Sequence, residues 1–121
     1  MILNLTEHRA TQEQKEDDVV DLPEPEREKL IELLTFNTIP VPYTLRTRAL
    51  AITALALNTG AEMAMIGGAP YLMSHLEREL AYAGISAMYS FCPKVKTKAV
   101  RPDGTTTFTY TYKHTGFIYP D

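Results

Sequence analysis

Residues 61–72 read AEMAMIGGAPYL, and this stretch decides the fold because an apolar run ends in two glycines and a proline that opens an amphipathic helix. The pattern predicts a strand, a tight loop and a helix N-terminus. In such a loop, backbone N–H groups and the positive end of the helix dipole face an anion, most often a phosphate. Gly67 and Gly68 match neither the dinucleotide fingerprint nor the P-loop, whose lysine is missing. A plain strand-to-helix turn is the alternative.

Strand and helix patterns alternate on both sides of this stretch. The predicted strands are 2–5, 19–22, 61–66 and 85–91, and the predicted helices are 11–18, 25–36, 43–58 and 70–83. A hairpin follows over 94–114, and 117–119 is a short edge strand. The order predicts a single α/β domain over 1–121. It is a small Rossmann-like three-layer domain with a mainly parallel central sheet and a C-terminal antiparallel β-hairpin as an appendage.

Two segments carry apolar or aromatic side chains beyond the needs of one core. The helix around 44–58 has little polar surface, which favours a contact with a second subunit and hence a homodimer. In the hairpin, Tyr110 and Tyr112 alternate with threonines and lie near several lysines. The aromatic rings could stack on the bases of a single-stranded nucleic acid while the lysines neutralise its phosphates. An aromatic face packed on a helix is the favoured interpretation.

Composition limits the classes of function. The net charge is −3, but residues 1–40 contain ten acids and four bases, whereas residues 85–121 contain five bases and two acids. The C-terminal part could therefore meet a polyanion, or its lysines could simply block edge pairing. Cys92 is the single cysteine, so an internal disulfide is impossible, and the sequence predicts no metal site and no cofactor. With no apolar run long enough to span a membrane, we expect a cytoplasmic protein.

Polar residues follow three predicted strands and should converge, because ligands of open α/β sheets bind outside the carboxyl ends of the strands. His8 is the candidate acid or base, with an ordinary loop histidine as the alternative. His75 and His114 are interpreted as surface residues, Cys92 as a structural thiol, and no serine triad is predicted. The expected ligand-binding residues are Asn4, Thr6, His8, Gly67, Gly68, Pro70, Tyr71 and Lys94.

The segments ILNLTEH (2–8) and AMIGGAP (64–70), followed by an amphipathic helix and a β-ribbon, resemble the small CRISPR-associated Rossmann-like proteins related to CARF sensor domains, including stand-alone ring nucleases. The resemblance implies a homodimer that binds a cyclic oligoadenylate across its two-fold axis and in some members cleaves it without metal. By position, Thr6 and His8 would contact the ligand from the first loop, and Gly67, Gly68 and Tyr71 from the second. No catalytic lysine or arginine is evident in either loop.

The sequence therefore predicts binding of a nucleotide or cyclic oligonucleotide in prokaryotic or phage defence signalling. Metal-independent phosphodiester cleavage is a secondary expectation. The alternative is a non-enzymatic protein-interaction module, such as a phage-encoded modulator of a host protein. That module would use the apolar helix 44–58 and the basic hairpin.

Overall fold

A computed structural model describes residues 1–120. It contains the strands β1 (Ile2–Leu5), β2 (Val19–Asp21), β3 (Met63–Ile66), β4 (Ser86–Phe91), β5 (Lys94–Val100), β6 (Thr106–Tyr112) and β7 (Gly116–Ile118). The helices are α1 (Gln12–Glu16), α2 (Glu24–Leu34), α3 (Pro42–Thr59) and α4 (Pro70–Tyr82). The predicted elements are therefore present, with ends that differ by a few residues.

Five strands form one sheet in the order β2-β1-β3-β4-β7. The pairs β1–β2, β1–β3 and β3–β4 are parallel, and β7 is an antiparallel edge strand on β4. The hairpin β5–β6 is a separate two-stranded antiparallel sheet. The prediction of an α/β domain with a mainly parallel sheet and a C-terminal hairpin is confirmed.

The two faces of the sheet carry hydrophobic clusters of different size. Leu3, Leu5, Ala64 and Ile66 belong to the large cluster, together with buried residues of α2, α3 and α4. The smaller cluster on the other face consists of Ile2, Ala10, Val19, Met65 and Met88, with Phe117 packed against it. The split follows from strand alternation, since successive side chains point to opposite faces. Because the connections from β1 to β2 and from β2 to β3 run in opposite directions, right-handed crossovers place α1 and the longer helices on opposite faces.

Helix α3 buries one face in the domain and exposes the other. It packs against α4 and α2 and buries one broad face, which includes Ala49, Ile52 and Ala56. Leu50 and Leu57 remain about half exposed on the other side. A contact between subunits through α3 remains a prediction. It would have to use the exposed side of the helix, which includes Leu50 and Leu57.

The hairpin β5–β6 is exposed along both strands, so its aromatic face is not packed on a helix as the sequence favoured. Lysines and aromatics alternate across the strands instead, and Lys94 and Lys96 place their ammonium groups 4.3 and 4.0 Å from the ring centroids of Tyr110 and Phe108. At the turn, Asp103 Oδ1 accepts hydrogen bonds from the backbone N–H and the hydroxyl of Thr105. The hairpin is thus stabilised by its own residues.

Candidate functional site

The switch point of the sheet lies between β1 and β3. From β1, the chain continues to β2 on one side, and the later strands β3 and β4 lie on the other side. The loops that leave β1 and β3 therefore separate and leave a crevice outside the carboxyl ends of these strands. In register, Leu5 is paired with Ile66 and Ile66 with Tyr89. Thr6 and Gly67 directly follow β1 and β3, and Ser90 is the residue before the last of β4.

A cavity of about 500 Å³ occupies this crevice, which we call the switch-point cavity. Its size falls in the range of small-molecule sites. Its lining residues are Thr6, Glu7, His8, Arg9, Thr11, Gln14, Met65, Ile66, Gly67, Gly68, Tyr89, Ser90 and Cys92. Four of the predicted ligand-binding residues, Thr6, His8, Gly67 and Gly68, are thus brought together, and residues of α1 and β4 complete the wall.

Asn4 shapes the first loop from within. It is 3% exposed, and its Nδ2 donates hydrogen bonds to Asp21 Oδ1 at 2.7 Å and to the backbone oxygen of His8 at 2.8 Å. Its Oδ1 accepts from the backbone N–H of Thr6 at 2.9 Å and from the Thr6 hydroxyl at 2.6 Å. Both N–H donors and both lone pairs of this amide are therefore engaged. Asn4 therefore holds the loop that carries Thr6 and His8.

Gly67 and Gly68 lack a side chain for different structural reasons. A Cβ added to Gly67 would lie 3.4 Å from Thr6 Cγ2, so a side chain there would enter the gap between the first two loops. Gly68 has φ +149°, a backbone conformation that residues with a side chain rarely adopt. Gly67 thus keeps the crevice open, whereas Gly68 permits the turn into α4.

Asn4 is buried and does not line the switch-point cavity, contrary to its prediction as a ligand-binding residue. Three other predicted ligand-binding residues also lie outside the lining. Pro70 begins α4. Tyr71 is half exposed, packs edge-on against Phe36 with ring centroids 5.4 Å apart, and lines a separate groove. Lys94 belongs to the hairpin, where it lies over Tyr110. Neither the fold nor these contacts bring them to Thr6 and His8.

The charged residues of the lining are Glu7 and Arg9, besides His8. The Arg9 guanidinium donates a hydrogen bond to Glu24. The His8 side chain is exposed and makes no hydrogen bond within residues 1–120. The imidazole of His8 is therefore available to a ligand, as expected of a candidate acid or base.

Tyr89 contributes the partly buried aromatic ring of the lining. Desolvation raises the pKa of its phenol above the ordinary value, and the neighbouring Glu77 carboxylate raises it further by charge and by hydrogen bonding. The phenol is therefore neutral at physiological pH. It offers a flat apolar surface with one polar end.

His114 is buried, and its interpretation as a surface residue is wrong. The residue is 5% exposed, and its ring lies edge-on to Phe117 at a centroid distance of 4.8 Å. Its Nδ1 lies 2.6 Å from Ser90 Oγ and its Nε2 2.8 Å from Asp17 Oδ2. Ser90 Oγ also accepts a hydrogen bond from Gln14 Nε2 at 3.2 Å and lies 3.1 Å from Cys92 Sγ.

No sequence pattern signals this network, because its members come from α1, β4 and the segment between β6 and β7. Asp17 is 97 positions from His114, and Ser90 is 24 positions from it. Lys113 supports the same contact through an ion pair with Glu13 at 3.7 Å. His75, by contrast, is partly exposed on α4, away from this network.

Two further findings concern membranes and metals. Within residues 1–120 no helix is both long enough and apolar enough to cross a membrane. In the same part of the chain, no three histidine, cysteine, aspartate or glutamate side chains are grouped so that they could hold a metal ion.

Comparison with known proteins identifies the family of this chain. No curated protein and no solved structure matches the chain. The model of the uncharacterized MJ1673 family matches residues 1–118, which is nearly the whole length. The chain therefore belongs to the MJ1673 family.

Proposed function

We propose that this protein binds a nucleotide or cyclic oligonucleotide, of the cyclic oligoadenylate type, in the switch-point cavity. The observation that carries the proposal is the convergence of Thr6, His8, Gly67 and Gly68 around one cavity at the switch point of a parallel sheet. The lining also combines apolar surface, from Met65, Ile66 and Tyr89, with hydroxyl, amide and imidazole groups. A nucleobase with its ribose requires both kinds of surface.

The phosphate would lie at the loop between β3 and α4. Pro70 has no N–H group, and the N–H groups of Leu72 and Met73 donate to the oxygen of Ala69, so the proposed donors are the N–H groups of Gly67 and Gly68. The dipole of α4 favours negative charge near its N-terminus. Gly67 has no side chain, so the gap between it and Thr6 Cγ2 stays unfilled and this backbone can be approached from the cavity. Arg9 also lines the cavity and would add a positive charge near this phosphate.

A cavity of about 500 Å³ accommodates about one nucleotide unit. A cyclic oligonucleotide would therefore need a second protomer, which agrees with the proposed homodimer. In this proposal the protein acts in the cytoplasm in defence signalling, and any phosphodiester cleavage is secondary, with His8 as the candidate group.

Thermal unfolding against cyclic oligoadenylates, cyclic dinucleotides and mononucleotides tests the proposal, because a ligand that binds only the folded state raises the midpoint. Gly67→Val should abolish the shift, since its side chain would fill the gap next to Thr6. Gly116→Val is the matched control, because Gly116 also has no positive φ and a Cβ there meets open space. Absence of any shift in the wild type, or an equal shift in both variants, would contradict the proposal.

The protein-interaction module is the second candidate. The observation that favours it is the exposed face of β6, where Phe108, Tyr110 and Tyr112 are 50%, 53% and 72% exposed. Exposed aromatic side chains next to lysines are typical of surfaces that bind a partner. Replacing all three by serine should abolish partner capture and leave the nucleotide-dependent midpoint shift intact.

A further inference from the structure

Asp17, His114 and Ser90 form a continuous line of hydrogen bonds from the protein surface to the switch-point cavity. The Asp17 carboxylate is about half exposed, the His114 side chain is 1% exposed, and Ser90 lines the cavity. The two contacts measure 2.8 and 2.6 Å. Both distances lie within the range of good hydrogen bonds.

The partners determine where each proton lies. An ionised carboxylate only accepts hydrogen bonds, so His114 Nε2 carries the proton that is donated to Asp17. In a neutral imidazole the other nitrogen is then an acceptor, and the Ser90 hydroxyl donates to His114 Nδ1. The lone pairs of Ser90 Oγ remain for the amide of Gln14 and for Cys92. In this neutral form of His114, the hydroxyl proton of Ser90 points at Nδ1.

This arrangement is what activation of a serine requires. A hydroxyl in contact with an imidazole, which a carboxylate orients from its other side, is recognised by geometry and not by the order of residues in the chain. The carboxylate stabilises the imidazolium that forms when the base takes the proton. Here the serine faces Nδ1 and the carboxylate faces Nε2, and either ring nitrogen can accept a proton.

We propose that Ser90 is a nucleophile for a carboxylic ester bound in the switch-point cavity, with His114 as general base and Asp17 as its positioning residue. Ser90 Oγ would form a bond to the carbonyl carbon while its proton passes to His114 Nδ1. The bond from that carbon to the alkoxy oxygen then breaks, and the leaving oxygen takes the proton from His114. A water molecule, deprotonated by His114, cleaves the acyl-serine in the same way and releases the carboxylic acid.

The charges around the cavity favour an acyl group over a phosphoryl group as the reacting centre. Attack on a phosphodiester adds charge to an anion, and enzymes neutralise that charge with metals or several cations. In the described lining Arg9 is the basic side chain other than His8, and it is hydrogen-bonded to Glu24. A carbonyl develops a single oxyanion, for which one or two N–H donors suffice. The loop of Gly67 and Gly68 lies next to Ser90 across paired strand ends and could supply them.

This inference goes beyond the proposed nucleotide binding and does not depend on it. Fluorophosphonate is the first probe, because it labels activated serines and the labelled residue can be located by mass spectrometry of the full chain. We expect the label on Ser90, and no label there in Ser90→Ala. Ser86→Ala is the matched control, since Ser86 lies exposed at the other end of β4. Hydrolysis of p-nitrophenyl acetate, measured by the release of nitrophenolate, should proceed in the wild type and in Ser86→Ala and should be lost in Ser90→Ala.

Substitutions of the half-exposed Asp17 test its role as the positioning residue of His114 without disturbing the core. Asp17→Asn should slow labelling at Ser90 at least tenfold, and Asp17→Glu should restore part of the rate, while both variants stay folded by circular dichroism. Asp18→Asn is the control, because Asp18 is adjacent, 75% exposed and paired with the N-terminal amine. A purely structural network would change the unfolding midpoint without changing the labelling rate.

A folded wild type that takes no label at Ser90, or a labelling rate unaffected by Asp17→Asn, would overturn the proposal. Neither result bears on nucleotide binding, because the midpoint shift is measured without any reaction at Ser90. Conversely, if Ser90 is labelled but no nucleotide raises the unfolding midpoint, Ser90 remains the nucleophile and the proposed nucleotide binding is rejected.

Discussion

The switch-point cavity and the β5–β6 hairpin contain similar residue types but are organised in opposite ways. Around the cavity, hydrogen bonds join distant parts of the chain: Asn4 is bonded to Asp21, and Ser90 is bonded to Gln14 and His114. In the hairpin, Lys94 and Lys96 each lie over an aromatic ring diagonally across the two strands, and both strands remain exposed. Parallel strands gather residues from separate segments at one edge, whereas a hairpin can only pair sequence neighbours. The comparison favours the sheet edge for chemistry and the hairpin for surface contacts.

The largest expected difference concerns stability. His114→Ala removes a buried side chain with two hydrogen bonds and leaves Ser90 without its acceptor, which should lower the free energy of unfolding by about 3 kcal/mol. Tyr112→Ser in the exposed hairpin should change it by less than about 0.5 kcal/mol. Urea denaturation of both variants measures the difference. Equal losses would mean that the hairpin is part of the cooperative unit.

We expect a smaller difference in stability between substitutions of Gly68, at the cavity, and Gly104, in the hairpin turn. Gly68→Ala forces a side chain into φ +149° at the edge of the cavity and should cost about 1–2 kcal/mol. Gly104→Ala imposes a comparable demand at φ +86° in the hairpin turn. Because the hairpin is stabilised mainly by its own residues, we expect local fraying and an unchanged midpoint for the domain. Hydrogen exchange would separate local from global opening, and a lowered midpoint for Gly104→Ala would contradict this separation.

The smallest expected effect is at alkaline pH. Burial and Glu77 raise the pKa of Tyr89 above 10.0, so the folded state holds the phenol proton more tightly than the unfolded state. This contribution to stability is complete below pH 10.0 and is lost as the pH rises through the folded pKa. Tyr89→Phe should therefore flatten the alkaline decline in stability, whereas Tyr112→Phe should leave it unchanged. Unfolding midpoints between about pH 9 and pH 11 check the prediction.

Local patterns were sufficient for most of the fold. The glycines and proline of residues 67–70 predicted the end of β3 and the start of α4, and the pattern of residues 11–18 predicted the short helix α1. The strand ends further predicted that Thr6, His8 and Gly67 converge. These predictions succeed because each depends on neighbours in the sequence or on a general property of parallel sheets.

The sequence by itself determined the alternation of strands and helices, the parallel sheet, the hairpin and the edge at which Thr6, His8 and Gly67 meet. Only the tertiary structure decided that Tyr71 and Lys94 lie away from that edge and that His114 is buried between Asp17 and Ser90. The physical reason is that spacing along a chain specifies periodicity within an element. Contacts between α1, β4 and the segment before β7 depend on how those elements pack, which no local spacing encodes.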